Sequence, residues 1–189
     1  MPEKENQRVI LTKQLLRSAL LRLMERKEIR KISVSELCAE AGINRTTFYL
    51  HYGSQYEVLD EIVAALLQSI QQRLEDSGAL SGAHIERQFE IICTFLWEQA
   101  PLVRLLLKND ENSTLMTALF QFPDISQMTF QHLSRQYDAD SKKLLNTFLT
   151  TGGYFLIRQW LMEEIPKPPQ EVAQLLVDLT INGWEMHEH

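Results

Sequence analysis

Three helix-start signals, at Ser33, Asn44 and Ser54, stand eleven and ten residues apart. That spacing leaves room for helices of about two turns joined by tight connections. Ser33-Val34-Ser35-Glu36 fits a capping box, in which the serine hydroxyl takes the N–H three residues on and the glutamate reaches back to the serine N–H. Ile32 and Leu37 flank it at the spacing of a hydrophobic staple, and Ile43 and Phe48 repeat that spacing around Asn44. Ser54-Gln55-Tyr56-Glu57 is a second capping box. Together they predict helices at 33–40, at 44–50 and from 54 to about 75.

Between the first two lies Ala41-Gly42-Ile43, and Gly42 stands where a short turn between nearly perpendicular helices wants positive φ. Val34, Leu37 and Ala41 can share a small core with Ile43 and Phe48, and Cys38 fits an inward position where a small side chain allows close approach. Upstream, Leu16, Ala19, Leu20 and Leu23 recur at i, i+3, i+4 and i+7, predicting an amphipathic helix over 10–27. Downstream, further helices are expected at 83–99, 101–109, 113–136, 141–164 and 169–187, the third broken near Pro123. The fold class is therefore all-α, about nine helices in total: a three-helix head over 1–53, then a helical body over 54–189. No alternating strand pattern, internal repeat or low-complexity tract is visible.

A short second helix after a glycine turn is a helix-turn-helix, whose second member lies in a DNA major groove. With Phe48 inward, Arg45, Thr46, Tyr49 and Leu50 face outward. Arg45 can pair with guanine O6 and N7, Thr46 can reach a base or phosphate, and Leu50 can touch a thymine methyl. Thr47, Tyr49 and His51 suit phosphate contacts, which fix register without reading sequence. The helix start at Ser54 offers backbone N–H groups to another phosphate. The alternative is that Tyr49, His51 and Tyr52 pack against the first helix.

Charge agrees with that placement. Net charge is −6, yet residues 1–53 hold ten Lys/Arg against six Asp/Glu, 10 − 6 = +4, and the rest hold nine against nineteen, 9 − 19 = −10. Phosphate attraction is local, screened over about 10 Å, so the asymmetry matters more than the total. A solvated basic helix would give the same count.

The stretch ISVSELCAEAGINRTTFYLHYGSQYEVLDEI resembles the DNA-binding head of TetR-family transcriptional regulators, with their A-G-[IV]-x-x-x-T-[FL]-Y-x-[HY]-F pattern, over roughly residues 10–60. The resemblance implies an all-α homodimer with a divergent ligand-binding body and an interface made mainly by the last two long helices. It also implies that Thr47, Tyr49 and His51 contact the DNA backbone and that Arg45 and Thr46 approach bases. Two positions depart from the pattern. Gln55 stands where members often carry a phosphate-binding lysine, which lowers the expected salt dependence by about one unit of log–log slope. Tyr52 replaces a usual phenylalanine, so its hydroxyl needs a partner if the ring is buried. Lys31 and the basic residues of the first helix can make up for the missing lysine.

In the body, TTGGYFLIRQWLMEEIPKPPQEVAQLLVDL resembles, more loosely, the C-terminal part of one TetR-family subgroup. Gly152 and Gly153 permit close helix approach, and Leu145, Phe148, Leu149, Phe155, Leu156 and Trp160 make a broad apolar stripe. Val172, Leu175, Leu176 and Leu179 form its candidate partner. Two such helices from each of two subunits would make a four-helix interface, with Phe148, Gly152, Phe155, Leu156, Trp160, Leu175, Leu176 and Leu179 at the contact. The same stripes could instead close the monomer core. Pairing is preferred because one head reads too few base pairs, whereas two read a palindrome with half-sites about 34–36 Å apart. Phe89, Phe95, Trp97, Met116, Phe120, Met128 and Phe130 are candidates to line a pocket for a small hydrophobic or aromatic effector, although such residues at helical spacing also build ordinary core.

The expected function is a sequence-specific, DNA-binding transcriptional regulator, a repressor acting as a homodimer on a double-stranded DNA operator and modulated by a small molecule. The alternative is a TetR-like activator or adaptor controlled by a protein coregulator. An enzyme is not expected: the five histidines show no metal-ligand spacing, and there is no phosphate-binding glycine loop or nucleophile motif. No metal or other cofactor is expected. Cys38 and Cys93 lie far apart within apparent helices, the opening MPEKENQRVILTKQLL lacks the apolar core of a secretory signal, and no apolar run approaches a bilayer span. A cytoplasmic protein with no membrane partner is the expectation.

Overall fold

The structure, a computed structural model, describes residues 2–79, 85–109 and 137–180. Among the described residues there are eight α-helices, one short 3-10 turn and no strand. The helix expected over 113–136 lies outside the described residues, and so do Met116, Phe120, Met128, Phe130 and residues 181–187. The chain divides into two compact units, Met1–Leu66 and Leu67–His189, called the head and the body below.

In the head, α1 runs Pro2–Arg26 and so begins eight residues before the expected start. Pro2 stands at its first helical position, where the missing N–H costs no helical bond. Leu16, Ala19, Leu20, Leu23 and Met24 bury its inner face. A 3-10 turn, Ile29–Lys31, leads to α2, Val34–Ala41, which packs on α1. Ser33 caps α2 by accepting from the Glu36 N–H at 3.2 Å. Gly42 ends the helix at φ +67, and a Cβ there would meet nothing within 4 Å. The glycine is thus required by backbone conformation alone.

Asn44 caps α3, Arg45–Tyr49, by accepting from the Thr46 N–H at 2.8 Å. Backbone bonds from the His51 and Tyr52 N–H groups to the Phe48 carbonyl, 2.9 and 3.0 Å, continue the turn beyond it. Then α4, Gln55–Asp76, crosses the boundary between the units. Leu37, Cys38, Phe48, Tyr52 and Val58 close the head core, with Cys38 in the inward position expected of it.

The body contains α5 (Ile85–Glu98), α6 (Ala100–Lys108), α7 (Ala139–Met162) and α8 (Pro169–Thr180). Helix α8 lies along α5, with a lesser contact to α7. Asp138 caps α7, accepting from the Ser141 N–H at 2.8 Å, and that bond holds its carboxyl below the usual aspartate range. Arg104 closes the other end, donating from Nε to the Leu161 carbonyl and from Nη1 to Glu164, both at 2.7 Å. Burial pushes the Cys93 thiol up to about 12, and it raises that of Cys38 as well, so both cysteines behave as small apolar core groups.

Candidate nucleic-acid interface

The geometry of α3 follows from one fully buried side chain. Phe48 fills the head core and meets the Tyr49 ring edge-on at 5.4 Å and the Tyr52 ring at 5.8 Å. On a helix of this length, fixing Phe48 inward fixes which neighbours point out. Arg45 and Thr46 are exposed, Tyr49 is 52% exposed and Leu50 is 75% exposed, while Thr47, His51, Ser54 and Gln55 are half-buried beside them. Arg45 lies over the Tyr49 ring at 5.9 Å and has no carboxylate partner among the described residues. The outcome is a compact surface of guanidinium, hydroxyls and one exposed leucine, with the chemistry to reach base edges and phosphates. Tyr56, 42% exposed on the first turn of α4, adds an aromatic hydroxyl that the sequence reading did not single out.

The basic excess of the head is less available than counting charges implies. Lys13 and Arg17 pair with Glu61, Arg22 with Glu40 at 2.7 Å, Lys27 with Glu36 at 2.5 Å, and Arg30 with Glu28 at 2.5 Å. Lys31 is exposed but lies 3.4 Å from Glu28. The carboxyls of Glu28 and Glu40 are held below their usual range, first of all by hydrogen bonds from Arg30 and Arg22. At least six of the ten cations thus already have a carboxylate neighbour, which leaves Arg45 as the cation placed on α3 itself. At the start of α4, Glu57 accepts from the Gly53 N–H at 2.8 Å, one residue before the helix start expected to clamp a phosphate.

Tyr52 packs inward, and its hydroxyl has the partner its burial demands: it donates to Glu61 at 2.7 Å. Sequence reasoning missed Glu61. The available signal was the pair Lys13 and Arg17, one turn apart on α1 beside the buried Leu16 and Leu20.

Of the body residues singled out, Phe148 (70% exposed), Phe155 (56%), Leu175 and Leu179 point outward, and Leu156 is half-buried. Gly152 is exposed, with open space where a Cβ would stand. Trp160 and Leu176 lie in the monomer core instead. Trp160 stacks on Trp97 at 5.1 Å and donates from its indole N–H to the Lys167 carbonyl at 3.0 Å, a bond that ties down the connection to α8. Among the pocket candidates, Phe89 and Phe95 are buried and Trp97 is partly exposed. An open groove of about 390 Å³ between α5 and α8 is bordered by Glu86, Arg87, Glu90, Gln170 and Gln174, and by none of those aromatics. No group of histidine, cysteine or acidic side chains among the described residues is arranged to hold a metal.

Comparison with known proteins places this geometry. Residues 16–62 match the family described as bacterial regulatory proteins, tetR family, and residues 83–182 match a transcriptional regulator C-terminal region of TetR type. The second match alone spans more than half of the chain. The chain belongs to the TetR family. It is also similar to an uncharacterised HTH-type transcriptional regulator, YxbF of Bacillus subtilis, with 17% identity over 168 residues. That alignment covers 87% of this chain but only 43% of the relative's length. Among solved structures, the dihydroxyacetone kinase operon activator DhaS shares the fold at a TM-score of 0.58 and 18% identity, covering 95% of this chain and 99% of that one. The fatty acid degradation regulator FadR from Bacillus halodurans does so at 0.58 and 12%, covering 91% and 95%. No described helix is long and apolar enough to cross a membrane.

Proposed function

We propose that this TetR-family chain is a sequence-specific transcriptional repressor that binds a palindromic duplex operator as a homodimer. The observation that carries the reading is the outward set on α3: Arg45, Thr46, Tyr49 and Leu50 stand free on one short helix whose opposite side is pinned by Phe48. Arg45 reads guanine, Thr46 and Leu50 read neighbouring base edges, and Thr47, Tyr49 and His51 hold phosphates. Pairing of two copies is supported by the large apolar groups that α7 and α8 leave outside, Phe148, Phe155, Leu175 and Leu179, with Gly152 permitting close helix approach. Trp160 and Leu176, being core, are left out of that contact. A small hydrophobic or aromatic effector taken up by the body regulates DNA affinity by binding the DNA-competent and DNA-incompetent states unequally.

The test is selection of a binding duplex from a random pool, followed by titration of single-base variants at several salt concentrations. Arg45→Ala is expected to cost about 1–3 kcal/mol of discrimination at one base pair of each half-site and to flatten preference there. Tyr49→Phe is expected to weaken binding equally on every sequence, because a phosphate contact carries no base information. Retention of full affinity and full specificity by both variants refutes the contact assignment.

A further inference from the structure

One polar cluster in the head joins the buried Tyr52 to charged groups that the DNA-facing surface does not use. Glu61, on the second turn of α4, accepts three donors from two other segments. Its Oε2 takes the Tyr52 hydroxyl at 2.7 Å and the Lys13 ammonium at 3.0 Å, and its Oε1 takes the Arg17 guanidinium. Lys13 also lies over the Tyr52 ring, 5.3 Å from its centre. Tyr52 is 4% exposed, while the side chains of Lys13, Arg17 and Glu61 are half-buried around its hydroxyl.

Its position gives it a task. Tyr52 is bonded through its N–H to the Phe48 carbonyl and touches the Phe48 ring, so holding the Tyr52 hydroxyl holds the C-terminal end of α3. Tyr49, Leu50 and His51 lie immediately before it. Phe48 can fix which side of so short a helix faces the core, but a single apolar contact leaves rotation about that contact comparatively free. A charge-assisted bond 2.7 Å long supplies the second point of attachment.

We infer that Glu61 is a positioning residue for DNA recognition: acting through Tyr52, and anchored by Lys13 and Arg17, it fixes the orientation of α3 against α1 and α4. The inference rests on the reading of α3 as the DNA-facing helix. Because both cations are consumed in the clamp, they add nothing to the phosphate contacts, and the salt slope of binding comes from other groups.

The test compares the full chain with Tyr52→Phe and Glu61→Gln, using the duplex that the parent selects from a random pool and an unselected random duplex of equal length. Tyr52→Phe keeps the buried ring and removes only the hydroxyl. It is expected to lower affinity for the selected duplex about tenfold, the size of losing one charge-assisted hydrogen bond. Affinity for the unselected duplex and the salt slope stay as in the parent. Glu61→Gln is expected to move the selected-duplex affinity in the same direction. Amide hydrogen exchange of the DNA-free protein is the second readout: residues 47–52 exchange faster in both variants, while α2 amides keep their parental rates. If both affinities fall together and recover once corrected for the folded fraction, the clamp serves stability only and the inference is overturned. Parental affinity in both variants, or unchanged exchange at 47–52, overturns it as well. Should the parent itself select no duplex, the DNA-binding reading fails, and the exchange measurement still decides whether Glu61 orients α3.

Discussion

Helix α3 in the head and helices α7 and α8 in the body all leave large side chains in solvent, but of different kinds. On α3 the exposed groups are Arg45, Thr46 and Tyr49 beside Leu50, a mixture of hydrocarbon with donors and acceptors. On α7 and α8 they are Leu144, Phe148, Phe155, Leu175 and Leu179, which offer hydrocarbon only. Tyrosine and arginine remain solvated until a polar partner arrives, and then give it hydrogen bonds. Exposed phenylalanine and leucine gain only by burial, at about 25 cal/mol per Å² of apolar surface removed from water. The first surface therefore suits a charged, polar partner such as duplex DNA. The second suits another apolar surface, such as the identical helix pair of the proposed dimer.

The sharpest way to break the comparison is to remove what orients each surface. Phe48→Ala in the head and Trp160→Ala in the body are each expected to destabilise the protein by about 3–5 kcal/mol in chemical denaturation. A loss under about 1 kcal/mol at Phe48 shows that it does not hold α3. Next comes Phe148→Glu. With its side chain already in water, it should leave monomer folding unchanged yet weaken self-association by about 2 kcal/mol or more, as for an interface hot spot. Sedimentation equilibrium reads this, and an unaltered association state removes α7 from the interface. The smallest effect is expected at Asn44→Ala. Loss of its cap bond to the Thr46 N–H should cost about 1 kcal/mol and loosen α3 without touching the body. Stability at the parental value there means the cap is not what starts the helix.

How much of this was legible in the sequence depended on distance along the chain. The caps at Ser33 and Asn44 act within three residues, and Gly42 answers a purely local need for positive φ, so all three were readable. The inward stripe of α1 was readable too, because only one side of that helix is apolar over 16–24. The Glu61 clamp was not, since its partners Lys13 and Arg17 lie 48 and 44 residues away, and two cations one turn apart on α1 do not say which carboxylate they face. In α7, large apolar residues occupy both sides: Leu149, Tyr154, Ile157 and Trp160 inside, Phe148 and Phe155 outside. Periodicity alone does not separate a core side from a partner side when both are hydrocarbon. Hence periodicity groups Trp160 and Leu176 with the outward residues, although Trp160 stacks on Trp97 and bonds the Lys167 carbonyl, and Leu176 is buried on α8, which lies along α5. Net charge also overstated the head, because a count does not show which cations already face a glutamate.

A hydroxyl-radical footprint of the parent protein on its selected duplex puts the paired reading of DNA most directly at risk. Two copies joined through the body, each presenting Arg45 and Tyr49, should protect two inverted half-sites on one side of the duplex. Those patches should lie about 34–36 Å apart, or a multiple of that spacing. A single unrepeated patch, or protection with no inverted symmetry, contradicts it.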